Sequence, residues 1–163
     1  MITQHTGHSA RTKHTTGAPH FLLTSDETTF AELELALAAL PLCARGRVFV
    51  EVPTPDHIGL LAVPPRMTVT WLARSTRSGA PGTAEACRPG TAVSRAARAW
   101  AAEMICEAAE TDSDSTELAR TQVWLGGDYR GVAAIHEYLT ETLGLSDDMI
   151  TTREAYRLGR RAA

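Results

Sequence analysis

Gln122-Val-Trp-Leu-Gly-Gly-Asp-Tyr-Arg-Gly-Val-Ala-Ala-Ile-His-Glu-Tyr-Leu139 is the stretch whose reading decides the fold. Residues 123–125 are an apolar run short enough for a buried strand and bounded by turn formers. Gly126 and Gly127 free the backbone to turn sharply, and Asp128 stands where a helix wants its N-cap. Beyond it Val132, Ile135, Leu139 and Leu143 recur at helical spacing as one apolar stripe. Strand, Gly-Gly turn and helix form half of a βαβ unit. In open α/β sheets such a turn lies at the carboxyl end of the strands, where ligands bind.

Working outward, Gly144 closes that helix, and residues 149–153 read as a further strand. Upstream, residues 94–110 form an amphipathic helix with Ala97, Trp100, Ala101, Met104, Ile105 and Ala108 on one side. The polar run 111–116 is a loop. Residues 47–52 and 68–72 are β-branched or aromatic strands. Between them four prolines and a glycine in residues 53–66 leave no room for a crossover helix, although the length just suffices for a parallel connection. A Gly- and Pro-rich loop, residues 73–93, carries Arg74, Arg77 and Arg88. Near the start, residues 21–23 are a strand, residues 24–29 a turn, and Phe30, Leu33, Leu37 and Leu40 one face of a helix stopped by Pro41. Thr29 with Glu32 has the spacing of a capping box. The acids of the turn repel a phosphate unless their side chains cap the helix and turn away.

Five strands alternating with helices predict an α/β fold: a five-stranded parallel, doubly wound, Rossmann-like sheet in the order 3-2-1-4-5 with helices on both faces. Residues 1–19, polar and histidine-containing, read as a flexible tail, and residues 20–163 as one domain. The spacing of His5, His8 and His14 matches no metal site, and none is expected elsewhere. His136 reads as structural and His57 as a loop residue without a partner. No Ser-His-Asp, Cys-His or paired-carboxylate arrangement stands out, so no catalytic residue is assigned.

Composition narrows the function classes. Of 163 residues 44% are hydrophobic and 21% charged, as in ordinary globular domains. A net charge of −3 argues against general nucleic-acid binding. No apolar run approaches a membrane span and no secretory h-region opens the chain. Three cysteines, Cys43, Cys87 and Cys106, are odd in number and lack CxxC spacing, which fits free thiols in the cytoplasm.

Four segments in consistent order resemble the C-terminal, pyridine-nucleotide-binding half of siderophore-interacting proteins, within the ferredoxin-reductase-like group. They are Phe21-Leu-Leu-Thr-Ser-Asp-Glu-Thr28, Val69-Thr-Trp-Leu-Ala-Arg74, Val123-Trp-Leu-Gly-Gly-Asp128 with its helix, and the tail around Tyr156 and Arg157. The family's first motif has Gly where this chain has Ser25, and Pro where it has Ala31. The resemblance implies an NADPH or NADH site made by Ser25, Asp26, Glu27, Thr28, Arg74, Arg77, Gly126, Gly127 and Asp128. The pyrophosphate rests on the two turns, where helix N-termini favour anions. Arg74 grips the 2′-phosphate of NADPH with Arg77 as helper. Tyr156 and Arg157 face substrate or partner, in a basic tail read as exposed.

Family members also carry a flavin-binding β-barrel, for which nothing before Phe21 offers the sequence. No FAD is therefore expected on this chain alone. The partners implied are a separate flavoprotein chain or a second copy of this one, with a ferric siderophore as substrate. The reductase half stands beside a second reading, a non-catalytic interaction module that kept the fold. A third reading, a piece of a longer reductase, sits less well with Met1 as a natural start.

Overall fold

The central strand, β1 (His20–Asp26), is buried at every position after His20, as a strand covered on both faces must be. The structure is a computed structural model that describes residues 20–80, 82–106, 121–156 and 158. The readings for residues 1–19, for the loop at 111–116, for Ala108 and for Arg157 fall outside them.

From β1 the chain runs into α1 (Phe30–Ala38), β2 (Arg45–Val52) and β3 (Arg66–Ala73). It continues through α2 (Thr91–Cys106), β4 (Thr121–Leu125), α3 (Tyr129–Glu137) and β5 (Ile150–Thr152). The sheet has five strands in the order β3-β2-β1-β4-β5, each pairing parallel, as the sequence predicts. Between β2 and β3 there is one 3-10 turn, Pro55–His57, and otherwise irregular chain. Proline removes the donors a crossover helix would need.

Alternate strand residues feed two cores. On one face Leu22, Phe49, Leu72, Val123 and Leu125 meet Val93, Ala97 and Ala101 of α2 and Val132 and Ile135 of α3. On the other, Leu23, Val48 and Val50 meet Leu33 and Leu37 of α1, with Leu61 and Val63 of the crossover chain lying against the same cluster. Truncating a fully buried leucine such as Leu33 to alanine costs about 2–5 kcal/mol. Among the described residues no helix is long and apolar enough to cross a membrane.

Several local expectations change. β1 extends through Ser25 and Asp26, because these pair with Val50 and Glu51 in the ladder instead of entering the turn. The Thr29–Glu32 capping box does not form. Thr29 is fully buried with its Oγ1 2.8 Å from the Ser25 hydroxyl, and Glu32 pairs with Arg153 at 2.8 Å. α2 begins at Thr91, since Gly90, at φ +81°, turns the chain into it early. Met104 is exposed, whereas Trp100 packs against the core beside the fully buried Ala97 and Ala101. α3 runs on through a π turn, Tyr138–Thr142, before Gly144 at φ +70° ends it.

Candidate functional site

Parallel strands deliver their carboxyl ends to one edge of the sheet. There the β1–α1 turn, the end of β2, the end of β3 and the β4–α3 turn meet. Between β1 and β4 the strand order reverses, which is where an open α/β sheet forms its ligand crevice. Two hydrogen bonds close this seam: Gly126 N–H donates to Thr24 O at 3.0 Å, and the Thr24 hydroxyl donates to Gly126 O at 3.2 Å.

The Gly-Gly turn is buried and closely packed, and each glycine is there for its own reason. A Cβ on Gly126 would lie 2.5 Å from the Trp124 ring and 2.9 Å from Thr29 Oγ1. Gly127 sits at φ +114°, where only glycine is at ease. Asp128 then caps α3, its Oδ1 accepting from Arg130 N–H at 2.9 Å and Gly131 N–H at 3.4 Å.

On the facing turn both acids are taken up by donors of the protein itself. Asp26, nearly buried, accepts from Thr28 N–H at 2.9 Å and from the Thr28 hydroxyl at 2.7 Å. Glu27 turns away to Arg74, pairing Oε1 with Nη2 at 2.5 Å and Oε2 with Nη1 at 3.0 Å. The arginine's hydrogen bonds hold the Glu27 carboxyl below the usual carboxylate range, and the same bonds keep Arg74 more firmly protonated than usual. Arg74 Nη1 also lies 3.3 Å from Glu51 Oε1.

Glu51 is the residue that the sequence reading missed. It stands near the end of β2, fully buried, with Oε1 accepting from Gly90 N–H at 2.8 Å and Oε2 from Val93 N–H at 2.9 Å. It thus caps α2 from another strand, satisfying first-turn donors that no helical carbonyl can reach. Gly90 and Gly131 were missed as well. A Cβ on Gly131 would come within 2.7 Å of the Gly90 backbone, so paired glycines let the starts of α2 and α3 touch at this edge. The only sequence signal for Glu51 was an acid inside an otherwise apolar strand.

Tyr156 belongs to the site, but not as part of an exposed tail. Its hydroxyl donates to Gly127 O, and its ring meets Tyr129 edge-on with centroids 6.0 Å apart. Arg153 lies over the ring, and Leu158 packs on the core. Apolar and hydrogen-bonding partners on the sheet therefore draw the segment in. Arg77 is not brought to Arg74's carboxylates. It lines a separate cavity of about 490 Å³ with Thr76, Ser78 and Arg95. His57 does have a partner, with its Nδ1 2.9 Å from the Thr54 hydroxyl, and His136 pairs with Asp147 at 3.1 Å. Among the described residues no group of His, Cys, Asp and Glu is arranged to hold a metal ion.

The edge is therefore the switch-point edge of an open α/β domain, with a packed Gly-Gly turn between β4 and α3 and with Asp26, Glu27, Glu51, Asp128 and Arg74 gathered at the strand and helix ends. The model of the family described as "Siderophore-interacting protein" matches residues 18–154, and the chain belongs to that family. No curated protein matches it. Its fold is similar to that of the siderophore-interacting protein SipS from Aeromonas hydrophila, at 17% identity and TM-score 0.54, covering 83% of this chain and 51% of that one. It is also similar to a siderophore utilization protein from T. fusca, at 23% identity, TM-score 0.51 and coverages of 83% and 44%. A third likeness is to the siderophore interacting protein from Acinetobacter baumannii, at 14% identity, TM-score 0.53 and coverages of 84% and 45%. This chain spans about half the length of these relatives.

Proposed function

We propose that this chain is the NAD(P)H-binding part of a ferric-siderophore reductase, delivering reducing equivalents to a flavin held on a separate chain. The supporting observation is the switch point itself, where the Gly126-Gly127 turn into α3 lies beside the β1–α1 turn across the reversal of strand order. Family membership points the same way. In this reading the β1–α1 turn, with Glu27 turned aside to Arg74, and the Gly-Gly turn receive the pyrophosphate, and Tyr156 faces the incoming flavoprotein. Electron transfer to iron is the flavin's chemistry, while the protein supplies binding and orientation.

Calorimetric titration with NADH and NADPH is the test. Either nucleotide should bind, and Gly127→Val, which puts a branched side chain into the turn, should weaken the binding at least tenfold while circular dichroism confirms the fold. The purified chain alone should be colourless. Absence of binding at millimolar nucleotide overturns the proposal.

A second reading, an interaction module that kept the fold, is favoured by one observation. The starts of α2 and α3 and the turn into α1 already carry protein carboxylates, from Glu51, Asp128 and Asp26. A pyrophosphate prefers such positions vacant. Failure of both nucleotides would leave this reading standing.

A further inference from the structure

We propose that Glu27 is a specificity-determining residue that makes this chain select NADH over NADPH; the inference rests on the nucleotide-binding reading above. In open α/β dinucleotide folds the adenosine ribose lies near the end of the second strand. An acid there accepts from the 2′-hydroxyl, or a nearby arginine accommodates a 2′-phosphate. In this chain that neighbourhood holds Glu51, Glu27 and Arg74.

Glu51 is not available to a ligand, since it is fully buried and each of its oxygens accepts an α2 N–H. Arg74 is hardly more available. Its side chain is 12% exposed, Nη2 is held by Glu27, and Nη1 is shared between Glu27 and Glu51. Glu27 is the member that meets solvent, at 37%. A phosphomonoester brings close to two negative charges. To reach the guanidinium fork it must break a bidentate pair and then sit beside the displaced Glu27 carboxylate. Like charges in contact disfavour that arrangement.

A 2′-hydroxyl meets the opposite situation. An ionised carboxylate has about four acceptor positions on its two oxygens, so Glu27 can hold Arg74 and still accept one O–H. The contact that blocks the phosphate thus offers the unphosphorylated ribose a partner. The preference is the reverse of the one that an unpaired Arg74 predicts. It arises because Glu27 and Arg74, 47 residues apart, follow β1 and β3 and meet at one edge of the sheet across the end of β2.

The test is calorimetry with NADH and NADPH on the wild type, on Glu27→Gln, and on the double variant Glu27→Gln/Arg74→Ala. We expect the wild type to bind NADH at least tenfold more tightly. Glu27→Gln should move the NADPH-to-NADH affinity ratio at least tenfold toward NADPH. Adding Arg74→Ala should take that gain away, because the gain runs through the freed guanidinium and not through the loss of one negative charge. A wild type that prefers NADPH, or a ratio unmoved by Glu27→Gln, overturns the inference while leaving the nucleotide-binding reading intact. Failure of the wild type to bind either nucleotide overturns both. The wild-type ratio alone decides the matter should a variant lose its fold.

Discussion

Replacing Glu51 by glutamine tests whether one buried carboxylate organises this edge. Gln keeps the shape and one acceptor oxygen, so only one of the two bonds to Gly90 N–H and Val93 N–H survives. The new amide points a donor at the other N–H, which is left buried and unsatisfied. A hydrogen bond to a charged group contributes about 1.5–3 kcal/mol, and a stranded donor costs about 1–3 kcal/mol. These describe largely the same event, so they are not summed, and the expected loss is about 1.5–3 kcal/mol. For a chain of this size that lowers Tm by on the order of 10 °C. Urea denaturation followed by circular dichroism measures it. The Arg74 contact is longer, at 3.3 Å, and Arg74 keeps Glu27 when Glu51 is neutralised. A double-mutant cycle with Arg74→Ala separates this contact from the two capping bonds, and most of the loss should remain when Arg74 is absent. A total loss under 1 kcal/mol, or a coupling that accounts for most of it, would refute the capping role.

Gly131→Ala should destabilise the chain by about 1–3 kcal/mol, despite alanine's better helix propensity, because its Cβ meets the Gly90 backbone at 2.7 Å and the starts of two helices must part. Denaturation midpoints decide this, and a variant as stable as the wild type contradicts it. Glu27 ionises more readily in the folded protein than in the unfolded chain, where its carboxyl has the ordinary value of 4.5. Its contribution is therefore complete above about pH 4.5 and lost as pH falls through the lower folded value. Because the pair is part-exposed, the contribution stays at the scale of about 1 kcal/mol or less. The stability difference between wild type and Glu27→Gln should be seen at pH 7 and shrink as pH falls below about 4.5, and a difference that grows on acidification runs against the Glu27–Arg74 pairing.

The strand-turn-helix stretch from β4 into α3 was legible in the sequence because everything that shapes it is local. Gly126 and Gly127 turn the chain, Asp128 bonds to N–H groups two and three residues on, and Val132, Ile135 and Leu139 repeat on one face. β-Branched, aromatic and apolar runs likewise marked the other strands, and the prolines of residues 53–66 ruled out a crossover helix. From these the parallel sheet and its order were predicted, and the structure agrees. What tertiary structure alone decided is which polar group answers which. Thr29 and Glu32 have capping-box spacing, yet the strand end drew Thr29 to Ser25, and Arg153 reached Glu32 across 121 residues. Glu51 finds its N–H partners 39 and 42 residues away. Arg74, an unpaired cation in the linear chain, is held by Glu27 because β1 and β3 end at the same edge. Backbone turns and apolar periodicity are properties of neighbours in the chain. The pairing of charges depends on which strand ends the sheet brings together, and no local pattern encodes that.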